Sequence, residues 1–514
     1  MDAGGRVVAM AAATHQLSSR LKAYAAVETK PEFLTGMIDA VDEFKRCCIS
    51  AEDLMAAAKE AEGSLAQKLQ ELALILESYD AICARGKRDP RDQGTLMLEQ
   101  MEAGDFAQRH TFYIDGFPDF TRQNMAAIQH LILCAPDVTI SMNCDALDSG
   151  KMAFEKAAET ASQIYRFARN AGVEVQVETV KPHPIPLQSM RSTLFQGTVE
   201  EGKLKGLVKT CQAESPFGEC MAAAEQIMEL VHGGCRYRDI MVVCPDLPGY
   251  QPLLNLAFRR CGIPVYLSGN EDILQKSVIG TVLSGMEAAL EGFEQRAVMR
   301  YLRSVLSPLN PDVCDLIENY AVTWGIRGSK WLENWTFHPD GLSAVWTQTA
   351  EKQLEQLNAA RKAAMEPLQQ LCEGFRKGKN LAQQVEAICI YLDRLDLENR
   401  LEKLARQMDA AGDNRSAQIL NQLWDILIGA LDQLYDVLGD TVWNTENFAS
   451  LFQLLLSQYD VGTIPPVLDA VQVGAVTTQR LHQQKHLIVL GAGEGNLPGY
   501  TGTCGVLTDQ ERVA

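Results

Sequence analysis

The residues best able to do chemistry in this chain are arginines and aromatics, with no evident nucleophile or metal cluster. Arg296, Arg300 and Arg303 stand at i, i+4 and i+7, a spacing that puts them on one face of a helix. Arg236 with Arg238, and Arg259 with Arg260, form two further pairs. Guanidinium groups arranged in this way either contact nucleic-acid phosphates or form a solvated face paired with nearby glutamates. Trp324, Trp331 and Trp335 gather near a loop-like break, where they either fill a core or partner interface or stack on bases. Other chemistries lack their parts. No G-x-x-x-x-G-K-[ST] string occurs, and Gly4-Gly5-Arg6 has neither the spacing nor the lysine to cradle phosphates. The 14 cysteines include no C-x-x-C pair, and Cys47–Cys48 are too close for ordinary zinc spacing. His482 and His486 lie four apart without a third ligand, so no metal site is expected.

The elements that must position these groups follow from periodicity. Residues from 7 to about 100 read as helical, with Met37, Val41 and Phe44, then Leu69, Leu72 and Leu76, recurring at three and four. Ser50 before Glu52 and Asp53 reads as a capped helix start. The period changes at Phe112-Tyr113-Ile114, a short apolar run ending at Asp115-Gly116. A helix over Gln123–Leu133 and an alternating strand at Val138, Ile140, Met142 and Cys144 complete a βαβ unit. A helix through Ile164 and Phe167, then a strand at Val173, Val175 and Val177, extends it, and Lys181–Pro186 is a linker. A second α/β block has helices over Glu219–Val231 and Leu253–Arg260 and strands over Asp239–Cys244 and Ile263–Leu267. From about 273 to 457 the chain reads as helical, with breaks at Pro308–Pro311 and around Gly325–Trp335. Strand signals return after Pro465–Pro466, at Ala470–Val473 and His486–Leu490.

Composition sets the class. The sequence has 514 residues, 46% of them hydrophobic and 22% charged, enough apolar material for several domain cores. A formal charge of −19 argues against non-specific coating of nucleic acid, while leaving room for a local basic channel. No apolar run reaches a membrane span, and Met1–Ala13 lacks the long apolar core of a secretory signal. Cysteines scattered along a large chain fit a reducing cytoplasm, so cytoplasmic localisation is expected.

Two α/β blocks, each with a helical insertion, resemble the plan of superfamily 1 helicases of the UvrD/RecB type. Three segments narrow the resemblance to the AddB family. They are Tyr113-Ile114-Asp115-Gly116-Phe117 with Phe120-Thr121; Glu318-Asn319-Tyr320 with Trp324-Gly325-Ile326 and Trp331; and Ile464-Pro465-Pro466 through Asp469, Val473-Gly474, Val489–Pro498 and Leu507-Thr508-Asp509. The resemblance covers nearly the whole chain. It implies an α/β fold of two RecA-like parallel sheets, each with a large helical insertion. Residues 1–105 would be a helical region (a 1B-like insertion with the tail of 1A) and 106–186 an incomplete first RecA-like domain. Residues 187–272 would open the second RecA-like domain (2A), 273–460 would be a 2B-like helical insertion, and 461–514 the 2A return. It also implies an internal stretch of a longer protein, whose phosphate loop and nuclease domain lie outside it.

The same resemblance assigns roles. Asp115 stands where a helicase strand delivers its Mg²⁺-binding aspartate, but hydrolysis wants a glutamate next, to orient water, and this chain has Gly116. Otherwise Asp115 simply caps a turn. Pro245 replaces an arginine of active relatives, and Thr477–His482 keeps little of their Thr-x-His-x-x-Lys-Gly string. A degenerate motor is therefore expected, with no ATPase or nuclease activity in this segment alone. Phe117 is implied to recognise Chi, a short single-stranded signal that switches off degradation of one strand; the alternative is a core phenylalanine. Phe120, Thr121 and Arg122 follow as contacts to base or backbone, with Arg296, Arg300 and Arg303 as possible phosphate contacts. No cofactor is expected within the segment, although the family uses ATP, Mg²⁺ and a 4Fe–4S cluster. The partners implied are an AddA-like helicase/nuclease subunit and single-stranded and duplex-end DNA, with no membrane. An autonomous superfamily 1 helicase and a purely structural subunit are the alternatives.

Overall fold

The structure is a computed structural model. It describes residues 1–180 (except 26, 28 and 87), 206–267, 271–342, 344–462, 469–479, 484–499 and 505–513. The fold is mostly helical with small parallel sheets, an α/β architecture. The expected linker at 181–186, Pro465–Pro466 and the segment Arg480–His482 lie outside the described residues.

The chain forms two compact units. The helical unit comprises Met1–Ile38, Leu74–Lys87 and Gly269–Pro466. Its first helix, α1 (Ala3–Leu17), starts where the Asp2 carboxylate accepts a 2.7 Å hydrogen bond from the Gly5 amide. Gln433 and the Tyr459 hydroxyl donate to the same side chain, at 2.9 and 3.2 Å. Almost every side of α1 is covered, including Val7 to Met10 at 0% exposure. Small residues make this possible: a Cβ on Gly4 would lie 2.6 Å from Leu455 Cδ1 and still closer to the Tyr459 hydroxyl. The stretch that reads in sequence as a small-residue-rich N-terminus is therefore a core helix.

The stretch that reads as helical from about 273 to 457 contains α10 (Ser277–Leu290), α11 (Gln295–Leu302), α12 (Pro311–Trp324), α13 (Gln348–Lys377), α14 (Leu381–Arg394), α15 (Leu397–Ala410), α16 (Asn414–Leu438) and α17 (Thr445–Leu456). Helix α1 packs on α16 and α17; in the chain it is followed by α2 (Pro31–Arg46), α3 (Ala51–Glu60), α4 (Gly63–Arg85) and α5 (Gln93–Ala103). Asn310 caps α12 with Pro311 in its first turn, and Gly325 ends it at φ +58, the left-handed region that favours glycine. The break that follows is packed. Trp331 is fully buried, Trp335 stacks on Tyr320 with ring centroids 4.5 Å apart, and Arg361 of α13 lies 5.8 Å over the Trp335 ring. Arg361 also donates 2.8 Å to the Trp331 carbonyl. Trp331 and Trp335 are thus core, the first of the two readings of this cluster. Strands β5 (Glu271–Asp272) and β6 (Asp460–Val461) pair antiparallel, so the chain enters and leaves this unit side by side.

The α/β unit comprises Asp39–Ala73, Arg88–Ser268 and Val467–Ala514. Strands β1 (Phe112–Ile114) and β2 (Val138–Ile140) are parallel neighbours joined through α6 (Arg122–Cys134), the expected βαβ step. Helix α7 (Glu155–Asn170) follows, but Val173, Val175 and Val177 form no strand. Alternation supplies a face, yet a strand also needs a neighbour to take its hydrogen bonds; Val177 and Val180 are exposed. The larger sheet has the order β4-β7-β3-β8, all parallel, from β3 (Ile240–Cys244), β4 (Val265–Leu267), β7 (Val471–Ala475) and β8 (His486–Val489). Every residue of β3 is buried, as a central parallel strand requires. Helices α8 (Pro216–His232) and α9 (Leu247–Cys261) pack on it through Ala224, Ile227, Leu254 and Phe258.

The last helix, α18 (Asp509–Val513), is docked by charge. Lys68 Nζ reaches the Glu511 carboxylate at 2.8 Å, and the Arg512 guanidinium donates to both Glu43 oxygens at 2.8 and 2.9 Å. The Lys68 bond, with the Thr508 amide and hydroxyl, holds the Glu511 carboxyl down to about 2. A depressed carboxylate gives stability that is fully present above its ordinary value near 4.5 and lost as pH falls toward about 2. Amide exchange over 508–513, corrected for intrinsic rate, should therefore speed up between pH 5 and pH 3. Glu511→Gln should remove that pH dependence, and unchanged protection in the wild type would refute the tether. In the helical unit, Gly4→Ala should overpack α1 against Leu455 and Tyr459 and cost about 1–3 kcal/mol, read as a lower denaturation midpoint.

Candidate nucleic-acid interface

The turn after β1 carries the residues singled out by sequence. The β1–β2 ladder continues one step beyond the strands, the Ser141 amide donating 2.9 Å to the Ile114 carbonyl. Directly after it the Ser141 hydroxyl donates to Asp115 Oδ1. Gly116 then turns the chain at φ +79, a conformation side chains disfavour. That turn lifts Phe117 to the surface, 45% exposed. Phe120 returns beneath it, the two ring centroids 5.4 Å apart and tilted by 34°. Thr121 caps α6, its Oγ1 accepting a 3.2 Å hydrogen bond from the Asn124 amide. Arg122 opens α6 and is exposed, and Asp119 is ion-paired with Lys156. Asp115, Phe117, Phe120, Thr121 and Arg122 thus share one turn.

This turn presents an aromatic face next to polar and cationic groups. Asp115 brings one carboxylate, already bonded to Ser141, and Gly116 brings none. Among the described residues no group of three or more His, Cys, Asp or Glu could hold a metal ion. At the end of β3, Asp246 is likewise committed, its Oδ1 capping α9 through the Gly249 amide at 3.0 Å.

Arg296, Arg300 and Arg303 lie on or at the end of α11 in the helical unit and are not part of this turn. All three are exposed. Arg300 is ion-paired with Glu287, and Arg303 with Glu318 and, at 2.8 Å, with Asp315. A phosphate would have to compete with those carboxylates. His486 is in the larger sheet with Cys235 Sγ 3.4 Å from its Nε2, while His482 lies outside the described residues. The described cysteines carry free thiols, and burial pushes the Cys220 and Cys244 thiols up to about 11, which keeps them protonated near neutral pH. No helix among the described residues is long and apolar enough to cross a membrane.

One constellation escaped the sequence. Glu219, in the first turn of α8, accepts a 2.7 Å hydrogen bond from the Tyr250 hydroxyl and a 3.0 Å bond from the Gly491 amide. Gly491 falls within the Val489–Pro498 segment, but nothing in the sequence ties it to Glu219 or Tyr250; the packing of α8 against α9 and the pairing of β8 beside β3 bring the three together. The cap at Thr121 generates a simpler expectation. Thr121→Ala should cost about 1 kcal/mol of stability and speed amide exchange at Asn124, while Thr121→Ser should keep most of both; equal loss in the two variants would show that the cap is not what orders the turn.

The first 192 residues match the family model described as ADDB, N-terminal. Over its whole length the chain is similar to proteins named as the B subunit of an ATP-dependent helicase/deoxyribonuclease. It is 27% identical to that of Caldanaerobacter subterraneus subsp. tengcongensis, a match covering 100% of this chain and 46% of the relative. For Acetivibrio thermocellus the identity is 26%, over 97% of this chain and 45% of the relative. For Clostridium botulinum it is 25%, over 96% and 44%. The chain therefore spans about half the length of the curated relatives it matches. The match of residues 1–192 to the ADDB, N-terminal model and the likeness to B subunits of ATP-dependent helicase/deoxyribonucleases bear out the resemblance to the AddB family read from three short segments.

Proposed function

We propose that this chain forms the helicase-like body of the B subunit of a helicase–deoxyribonuclease that processes DNA double-strand breaks for recombinational repair. In this reading both parallel sheets are RecA-like, and the chain guides single-stranded DNA and surveys it for Chi. An AddA-like subunit supplies the ATP-driven motor. The observation that carries the reading is the turn after β1, where Phe117 is exposed on a glycine turn above Phe120 and beside Thr121 and Arg122. An exposed aromatic face offers base stacking worth about 1–3 kcal/mol, and an arginine at its side suits a phosphate. The names of the relatives, which pair helicase with deoxyribonuclease and specify one subunit of an assembly, support the rest.

The motor of this chain is degenerate in the same reading. Gly116 stands where a hydrolytic site wants a glutamate, and Asp246 after Pro245 serves a helix cap. ATP, Mg²⁺ and an iron–sulfur cluster then belong to other parts of the complex. The acidic surface confines DNA to local contacts, Arg296, Arg300 and Arg303 among them, for which bound phosphate would exchange with Glu287, Asp315 and Glu318.

Phe117→Ala in the assembled complex should weaken binding of a Chi-containing single-stranded oligonucleotide by about 5- to 100-fold. The Chi response should weaken while unwinding of Chi-free DNA is spared. Phe117→Trp should retain most of the binding. Unchanged affinity and Chi response in Phe117→Ala would refute the stacking role, and the absence of any salt-dependent oligonucleotide binding would favour a purely structural role.

A further inference from the structure

We propose that Glu219 is a positioning residue, which pins the loop leaving β8 to the carboxyl end of β3 and so fixes the surface that loop offers to a single strand. The two hydrogen bonds on Glu219 meet at one atom, Oε2. Tyr250 comes from α9, the helix after β3, and Gly491 is two residues past the end of β8. One carboxylate oxygen thus ties α8, α9 and the β8 exit together, through bonds strengthened by its charge.

The pinned residue is built for the contact. Gly491 is buried and has φ +63, and a Cβ there would lie 3.2 Å from the Tyr250 hydroxyl and 3.4 Å from Pro245 Cδ. Beyond it Ala492, Gly493 and Glu494 are exposed. The last buried point before an exposed loop is therefore the point Glu219 holds. The donors are secure: burial and the Glu219 bond raise the Tyr250 phenol, which keeps its proton on the oxygen, and a backbone amide has no alternative role. Ligands of open parallel sheets meet the loops beyond the carboxyl ends of the strands, and a loop fixed in advance pays less ordering entropy on binding.

The inference rests on the DNA-guiding reading for its binding arm and on geometry alone for the pin. Both arms use the full-length subunit in its complex, measuring amide exchange over 490–496 and affinity for a single-stranded oligonucleotide. Glu219→Ala should accelerate exchange in the loop about tenfold or more, and weaken oligonucleotide binding about tenfold. Glu219→Gln keeps a carbonyl oxygen for the same two donors and should restore most of both; Tyr250→Phe should fall between. Unchanged loop exchange in Glu219→Ala, or exchange raised equally throughout the unit, would overturn the pin. Loop exchange raised with affinity unchanged would overturn the positioning role and leave the DNA reading intact. A wild-type complex that binds no oligonucleotide would instead defeat that reading, with the exchange arm still deciding the pin.

Discussion

The architecture depends on the hydrogen-bond ladder that β7 makes on both its edges. It lies between β4 and β3, with Val471 to Val473 registered against Val265 to Leu267 and Gln472 to Ala475 against Met241 to Cys244. Strand β4 ends at Leu267 and β7 begins at Val471, so the central pairing waits on the return of a segment about 200 residues away. Without β7, the facing edges of β4 and β3 would keep unpaired amides and carbonyls inside an apolar core, at a cost comparable to the bonds themselves. The entropy cost of closing so long an excursion grows only slowly with its length. The β5–β6 pair offsets part of that cost, since it brings the two ends of the excursion side by side within the helical unit.

That arrangement explains why the helical unit recruits the start of the chain. An insertion of many amphipathic helices needs something in its centre, and α1 supplies it with alanines, valines and glycines that let neighbours approach closely. The Asp2 carboxylate ties the beginning of α1 to Gln433 and Tyr459. Burial raises that carboxyl, but the Gly5, Gln433 and Tyr459 hydrogen bonds outweigh it and hold it below the ordinary range.

The same logic of strand ends organises both candidate surfaces. In a parallel sheet the carboxyl ends of the strands share one edge, and each is followed by a turn free to carry side chains for recognition. After β1 that turn carries an exposed phenylalanine backed by a second ring. After β8 it carries a glycine-rich loop held by a carboxylate from α8. Neither needs a working nucleotide site to stay in place, because Ser141, Thr121 and Glu219 fix these turns through hydrogen bonds of their own.

Much of this was legible in the sequence. The apolar run before Asp115-Gly116, the continuously apolar β3, the cap at Ser50 and the long helical stretch are local patterns, and local patterns fix elements. The resemblance that placed Phe117 rested on three short strings, which survive as strings whatever surrounds them. What the sequence could not decide were pairings. Val173, Val175 and Val177 alternate like a strand yet find no ladder, because alternation describes a face and a ladder needs a neighbour. The buried place of α1 in the helical unit, the engagement of Arg300 and Arg303 by Glu287, Asp315 and Glu318, and the meeting of Glu219 with Tyr250 and Gly491 join residues from distant parts of the chain or from separate helices. Sequence determined which segments could be helix, strand or turn; tertiary structure alone decided which of them meet, because a hydrogen bond or an ion pair is set by distance in space and leaves no period in the chain.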